Sequence, residues 1–185
     1  MSSNLQKQIE EFQNKYYDEN GKNAVFKKNQ KKDLAKKISN SFDTNLLLNE
    51  TCYTFDELNV IIDYNNFKLF ANVDNYKIIT SHILSKFTNS IKKFDSFQCH
   101  LNLDSFTVSA AERHKQMIEE FCRQCLGNNN SFTEKLTTLY IYYPPSLIES
   151  IAKLFSNLIS PVVKDKVVFY TKQDSDEYWN LINKL

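Results

Sequence analysis

Glycine is nearly missing from this chain, with Gly21 and Gly127 the only two in 185 residues, and proline occurs three times. Loops that cradle phosphate need glycine, because the backbone must approach the anion with no Cβ in the way. Neither G-x-G-x-x-G nor G-x-x-x-x-G-K-[ST] occurs, so nucleotide sites of those two kinds are excluded. No run approaches the length of apolar residues that spans a bilayer. Met1-Ser2-Ser3-Asn4 leads into a polar segment without an apolar signal core, so the expectation is a soluble, cytoplasmic protein, peripheral to a membrane at most. Its four cysteines are then reduced thiols rather than disulfides. Arginine is limited to Arg113 and Arg123 while Asn and Lys abound, a bias of AT-rich coding sequence that carries no mechanism.

What is present suits one domain large enough to bury a core without metal or disulfide support. Aromatics are plentiful, with Phe 14 and Tyr 10. The net charge of +1 hides an asymmetry. Seven lysines against Asp33 give +6 within residues 22–37, leaving about −5 on the remainder. Lys27, Lys28, Lys31, Lys32 and Lys36 are therefore candidates for contact with an anionic membrane surface, each worth up to about 1 kcal/mol there. The ordinary reading is a solvated helix face. Nucleic acid is disfavoured, since no arginine and no interleaved aromatics accompany these lysines.

Periodicity predicts a helix over 1–20 with Leu5, Ile9, Phe12 and Tyr16 inward, broken at Asn20-Gly21-Lys22-Asn23. A second helix follows over 27–39, with Leu34 and Ile38 one turn apart. Leu46-Leu47-Leu48 and Cys52-Tyr53-Thr54-Phe55 read as short extended pieces. Val60-Ile61-Ile62-Asp63 and Phe67-Lys68-Leu69-Phe70 read as a β-hairpin turning at Tyr64-Asn65-Asn66. Then helix and strand alternate. A helix capped by Asp74 runs over 74–93, a strand over 97–103, and a helix opens at the capping box Ser109-Ala110-Ala111-Glu112. Gly127-Asn128-Asn129-Asn130 is a loop before the next strand. The final helix, capped around Asp174, buries Trp179, Ile182 and Leu185. Strands that alternate with helices pair in parallel through right-handed crossovers.

Groups able to do chemistry are few. Cys122-Arg123-Gln124-Cys125 lies near a helix C-terminus, where the dipole has the wrong sign to activate a thiol, and it shares a face with His114, Ile118 and Phe121. Core packing is expected for the pair; a zinc site with His100 or His114 lacks a second close pair of ligands. His100, Asp104 and Ser105, near a strand end where α/β sheets bind ligands, could form a polar cluster. No nucleophile motif surrounds them. His82 is expected at the surface, and Tyr140 and Tyr142 on the face opposite to Tyr143.

The last third is the most telling. Leu136-Thr137-Thr138-Leu139-Tyr140-Ile141-Tyr142-Tyr143 is a strand stopped by Pro144-Pro145. A strongly apolar helix over 146–160 follows, ended by Pro161, and Val167-Val168-Phe169-Tyr170 begins another strand. On that helix Glu149, Lys153 and Asn157 oppose a broad apolar face. This order, with Leu154-Phe155-Ser156-Asn157-Leu158-Ile159-Ser160-Pro161 and Lys164-Asp165-Lys166-Val167-Val168-Phe169, resembles the C-terminal part of the CRAL-TRIO lipid-binding domain, in the divergent branch found beside Rho GTPase-activating domains. Phe97-Gln98-Cys99-His100-Leu101-Asn102-Leu103-Asp104-Ser105-Phe106 is similar to that family's central strand.

The resemblance implies an α/β fold: a mixed, mainly parallel sheet flanked by helices. Residues 1–42 would be a short helical N-terminal extension packed on a CRAL-TRIO-like domain over 43–185. It implies a movable helix over an acyl-chain site, with Leu101, Leu103, Tyr142, Ile148, Ile151, Ala152, Phe155, Leu158 and Ile159 meeting the ligand. The expected activity is non-enzymatic binding or transfer of a hydrophobic ligand such as a phospholipid, with no metal or cofactor. The alternative is a protein-interaction module that kept the fold and lost the lipid.

Overall fold

The computed structural model describes residues 3–23, 25–128 and 131–182. Two helices lead, α1 (Ser3–Asn20) and α2 (Lys27–Ser41), followed by α3 (Thr44–Thr51), β1 (Cys52–Thr54), β2 (Asn59–Asp63), α4 (Tyr64–Phe70) and α5 (Tyr76–Phe94). Then come β3 (Phe97–Asn102), α6 (Val108–Arg113), α7 (Lys115–Cys125), α8 (Ser131–Lys135) and β4 (Leu136–Tyr142). The end of the chain adds α9 (Ile148–Phe155), α10 (Pro161–Lys164), β5 (Val167–Phe169) and α11 (Lys172–Ile182).

The strands form one five-stranded sheet in the order β1-β2-β3-β4-β5. Only the β1–β2 pair is antiparallel; β2 through β5 run parallel, with Ile61 opposite His100 and His100 opposite Tyr140. Strands added one after another in a single direction, each by a right-handed crossover, throw their connecting helices onto one face. Here α5, α7 and α9 share that face, because side chains from all three meet the same side of β3 and β4. The other face meets Trp179 and Ile182 of α11. The mixed, mainly parallel sheet flanked by helices is the fold that the alternation of elements predicts. Among the described residues no helix is long and apolar enough to cross a membrane.

Several local expectations are corrected. The predicted hairpin does not form: its second arm is α4, started by Asp63, whose carboxylate accepts from the Asn65 N–H at 2.7 Å. An apolar run this short fits either period, and Phe67 and Phe70 sit three residues apart as a helix face requires. The antiparallel partner of β2 is instead Cys52–Thr54. Leu46-Leu47-Leu48 is helical, because Asp43 caps α3 by accepting from the Leu46 N–H at 2.9 Å.

Asp74 caps nothing and pairs with Lys36 at 2.7 Å. The supposed capping box starts two residues late, since Thr107 accepts from the Ala110 N–H and the helix restarts after His114. Thr171, rather than Asp174, offers the cap of α11, accepting from the Asp174 N–H at 3.2 Å. Leu185, expected in that helix's buried stripe, lies outside the described residues, as do Asn129 and Asn130 of the expected loop. The apolar helix is shorter than 146–160, ending at Phe155, and Pro161 opens α10 behind a Ser160 cap instead of closing the previous helix.

Candidate ligand-binding site

Side chains alternate across a strand, and this alternation builds the site. Phe97, Cys99 and Leu101 of β3 point one way, with Leu139 and Ile141 of β4 beside them and Ile62 of β2 next in register. Above them stand Ile83 and Phe87 from α5, then Met117, Ile118, Phe121 and Cys122 from α7. Ile148, Ile151, Ala152 and Phe155 of α9 close the roof, with Ile159 just beyond it. The cavity they line, half open to solvent, has a volume of about 270 Å³. Its lining is carbon and sulfur apart from Tyr64 and His114.

The roof is lightly attached. Ile151 and Phe155 pack with Ala111, Ile118 and Phe106 as a small cluster, joined to the main core through Phe106, Ile148 and Ile159. The cap position of α9 is Leu147, which has no side-chain acceptor to offer. An uncapped helix of eight residues is marginal by itself and depends on what lies beneath it. On its outer side Leu147 and Leu154 are 55% and 50% exposed, unusual for leucines on so short a helix. Two prolines precede it and Ser156 to Ser160 follow without helix.

The polar groups at the wall are tied down. His114 is buried, and Arg113 Nε–H donates to its Nε2 at 3.1 Å. A guanidinium only donates, so Nε2 accepts and the proton sits on Nδ1, 2.9 Å from the Tyr76 hydroxyl. Burial, with Arg113 and Lys32 adding to it, pushes the imidazole down to about 3, so the ring is neutral. Burial likewise pushes the Cys99 thiol up to about 12 and the Cys122 thiol up to about 11. These are inert walls rather than nucleophiles.

Of the residues expected to meet a ligand, Leu101, Leu103, Ile148, Ile151, Ala152, Phe155 and Ile159 line the cavity. Tyr142 and Leu158 do not. Tyr142 shares its parity with Tyr140 and faces α11, packed with Ile61 and Trp179. Leu158 loses its place on the helical face because α9 stops at Phe155. Tyr143, expected on the opposite face from Tyr142, joins the same cluster: it leaves the strand in the left-handed region (φ 49°), and its N–H donates to Ser175 Oγ.

Most of the wall was not anticipated, though Phe97 and Cys99 follow from Leu101 by parity. His82 is half-buried, its Nε2 3.0 Å from the Cys52 carbonyl oxygen. The lysines all project from exposed positions of α2, Lys28, Lys32 and Lys36 along one stripe with Lys27 and Lys31 beside it.

The cluster imagined for His100, Asp104 and Ser105 does not assemble. His100 faces α11, with Nε2–H donating to Asn59 Oδ1 and Nδ1 accepting from the Tyr142 hydroxyl, each at 2.8 Å. Asp104 and Ser105 turn to Asn65 and Lys68 at the strand ends.

A comparison with protein families supplies the remaining observation. Residues 95–184 match the model of the CRAL/TRIO domain. Over this segment, just under half of the chain, the sequence is similar to the CRAL/TRIO family. No curated protein matches the chain. A CRAL/TRIO domain supports binding of a small hydrophobic ligand, and the apolar cavity under α9 lies largely within the matched stretch. The CRAL/TRIO segment does not build the site unaided, however. Ile62, Tyr64, Phe67, Ile83 and Phe87, all upstream of residue 95, complete the wall.

Proposed function

We propose that this chain is a non-enzymatic carrier that binds one amphiphile, most simply a phospholipid or a single-chain relative, and exchanges it at a membrane surface. The observation that carries this reading is the cavity of about 270 Å³ with its apolar lining and lightly attached roof. Its volume sits just below the range of about 300–1,000 Å³ usual for ligand sites, which suits one hydrocarbon tail better than two. A tail that covers its walls gains about 0.8 kcal/mol per buried methylene.

In this reading α9 is the gate. Leu147 and Leu154 offer apolar side chains to the bilayer, and the exposed lysines of α2 hold the protein at anionic lipid. The neutral buried His114 and the high-pKa thiols around the cavity support binding rather than chemistry. The test is native mass spectrometry of the purified protein followed by organic extraction and lipid analysis. A stoichiometric lipid is the expected result. A clean apo mass that persists after incubation with mixed liposomes would overturn the carrier reading and favour a protein partner.

A further inference from the structure

A second cavity, of about 350 Å³, opens on the far side of Tyr64, the residue that lines both it and the apolar one. Its character is opposite. Lys31 and Lys32 of α2, Lys68 of α4 and Arg113 of α6 converge on it, and no carboxylate lines it. The contrast within α2 is informative. Lys36 and Lys37 are matched by Asp74 and Asp33, whereas among the described residues Lys31 and Lys32 have no acidic partner within salt-bridge distance.

The two inner cations spend their hydrogens on neutral acceptors. Lys68 Nζ donates to Asn65 Oδ1 at 2.5 Å and to Ser105 Oγ at 2.6 Å. Arg113 donates to His114 Nε2 at 3.1 Å and to the Tyr64 hydroxyl at 3.2 Å. Asp104 and Asp63 lie close enough to attract Lys68, yet burial dominates and, with Lys31 and Arg113 adding like charge, its ammonium is held below the ordinary lysine range. The hydroxyls of Thr107 and Ser109 complete a wall that can donate to an anion. Four cations in one concavity repel one another until an anion arrives. Arginine beside lysine and hydroxyl donors is the chemistry that holds phosphate.

We propose that this pocket receives the phosphate-bearing head of the ligand whose tail lies beneath α9, with Tyr64 between the two. The assignment rests on the carrier reading above. It makes the ligand an anionic amphiphile, and it gives Lys31 and Lys32 a role in selection beyond any general attraction to membranes.

Two probes with the same acyl chain test it on the full chain: a lysophosphatidic acid and the matching monoacylglycerol, with affinities measured by calorimetry. Wild type should bind the phosphate probe at least about tenfold tighter, as expected where charge-assisted bonds are made. Lys31→Gln/Lys32→Gln and Lys68→Gln/Arg113→Gln should each remove most of that preference and leave the uncharged probe bound as before. Arg113 also braces Tyr64 and His114, so the first variant, confined to exposed side chains, keeps the test decisive if the second fails to fold.

Equal wild-type affinity for the two probes, or a preference unaltered by the variants, would overturn the head-site assignment while leaving the carrier reading in place. Failure to bind either probe would overturn the carrier reading and the assignment with it. Binding of inorganic phosphate, sensitive to the same variants but without lipid binding, would give the pocket to a free phosphate compound and likewise overturn a lipid head.

Discussion

The two faces of the sheet are built from alternate residues of the same strands, and they differ in kind. On one, Phe97, Cys99, Leu101, Leu139 and Ile141 present carbon and sulfur to a cavity. On the other, His100 stacks on Tyr140 with ring centroids 4.7 Å apart, Tyr142 lies parallel to Tyr170 at 4.9 Å, and Trp179 closes over Tyr142 at 5.5 Å. A directed chain of hydrogen bonds runs through that second face, from Tyr142 to His100 to Asn59 to Asp56. Among the described residues no buried side-chain nitrogen or oxygen lacks a partner. Parting the aromatic face would leave several such groups unsatisfied at once, each costing about 1–3 kcal/mol. Parting the apolar face breaks only dispersion contacts, which a hydrocarbon chain replaces. Ligand entry therefore belongs on the apolar face and fold integrity on the aromatic one.

The largest test of that division is Trp179→Ala. Truncating a buried tryptophan should cost about 3–5 kcal/mol in denaturant unfolding, with lipid affinity of the surviving folded protein unchanged. A parallel loss of affinity would show that the faces are coupled. Acid should act next most strongly. Burial pushes His100 down to about 4 and His114 down to about 3, both below the usual 6.5. The unfolded chain therefore binds more protons than the folded one between about pH 6.5 and those values. Stability present above pH 6.5 should fall as pH drops through that window, by up to about 3 kcal/mol for His100 and about 5 kcal/mol for His114, at 1.36 kcal/mol for each unit. Thermal melts from pH 7.5 to 4.5 would read the slope, and His100→Gln should flatten part of it. A flat profile in wild type would mean that the histidines are not held neutral.

Both faces were partly legible beforehand. The alternation of strand and helix and the proline pair after Tyr143 announced parallel strands and a helix above them, because a crossover joins neighbouring elements and a missing N–H acts locally. What escaped depended on contacts far apart in the chain. The run Phe67-Lys68-Leu69-Phe70 suits strand or helix, and Asp63 decided it. Tyr142 was placed with the ligand by the family resemblance, yet parity with Tyr140 sends it to α11. The cationic pocket was the least legible, since its walls come from residues 31–32, 68, 105–107 and 113, which only the folded chain brings together.

A gentler test fills the cavity. Leu101→Phe adds carbon where there is room, so stability should hold or rise by about 0.5–2 kcal/mol, while acyl-chain affinity should fall at least roughly tenfold, a loss of about 1.4 kcal/mol. Unchanged affinity would mean that the ligand sits elsewhere.

The smallest effect on stability is expected from the outside of the roof. Leu147 and Leu154 are at least half exposed and bury little in the folded state. Replacing both with serine should therefore shift unfolding by no more than about 0.5 kcal/mol. Their contribution would be to the bilayer, where a gate must insert before it opens. Leu147→Ser/Leu154→Ser should consequently slow lipid transfer between vesicles several-fold while leaving equilibrium affinity for a soluble short-chain probe intact. Transfer at the wild-type rate would remove these leucines from the gate's membrane contact and leave the apolar face without an identified way in.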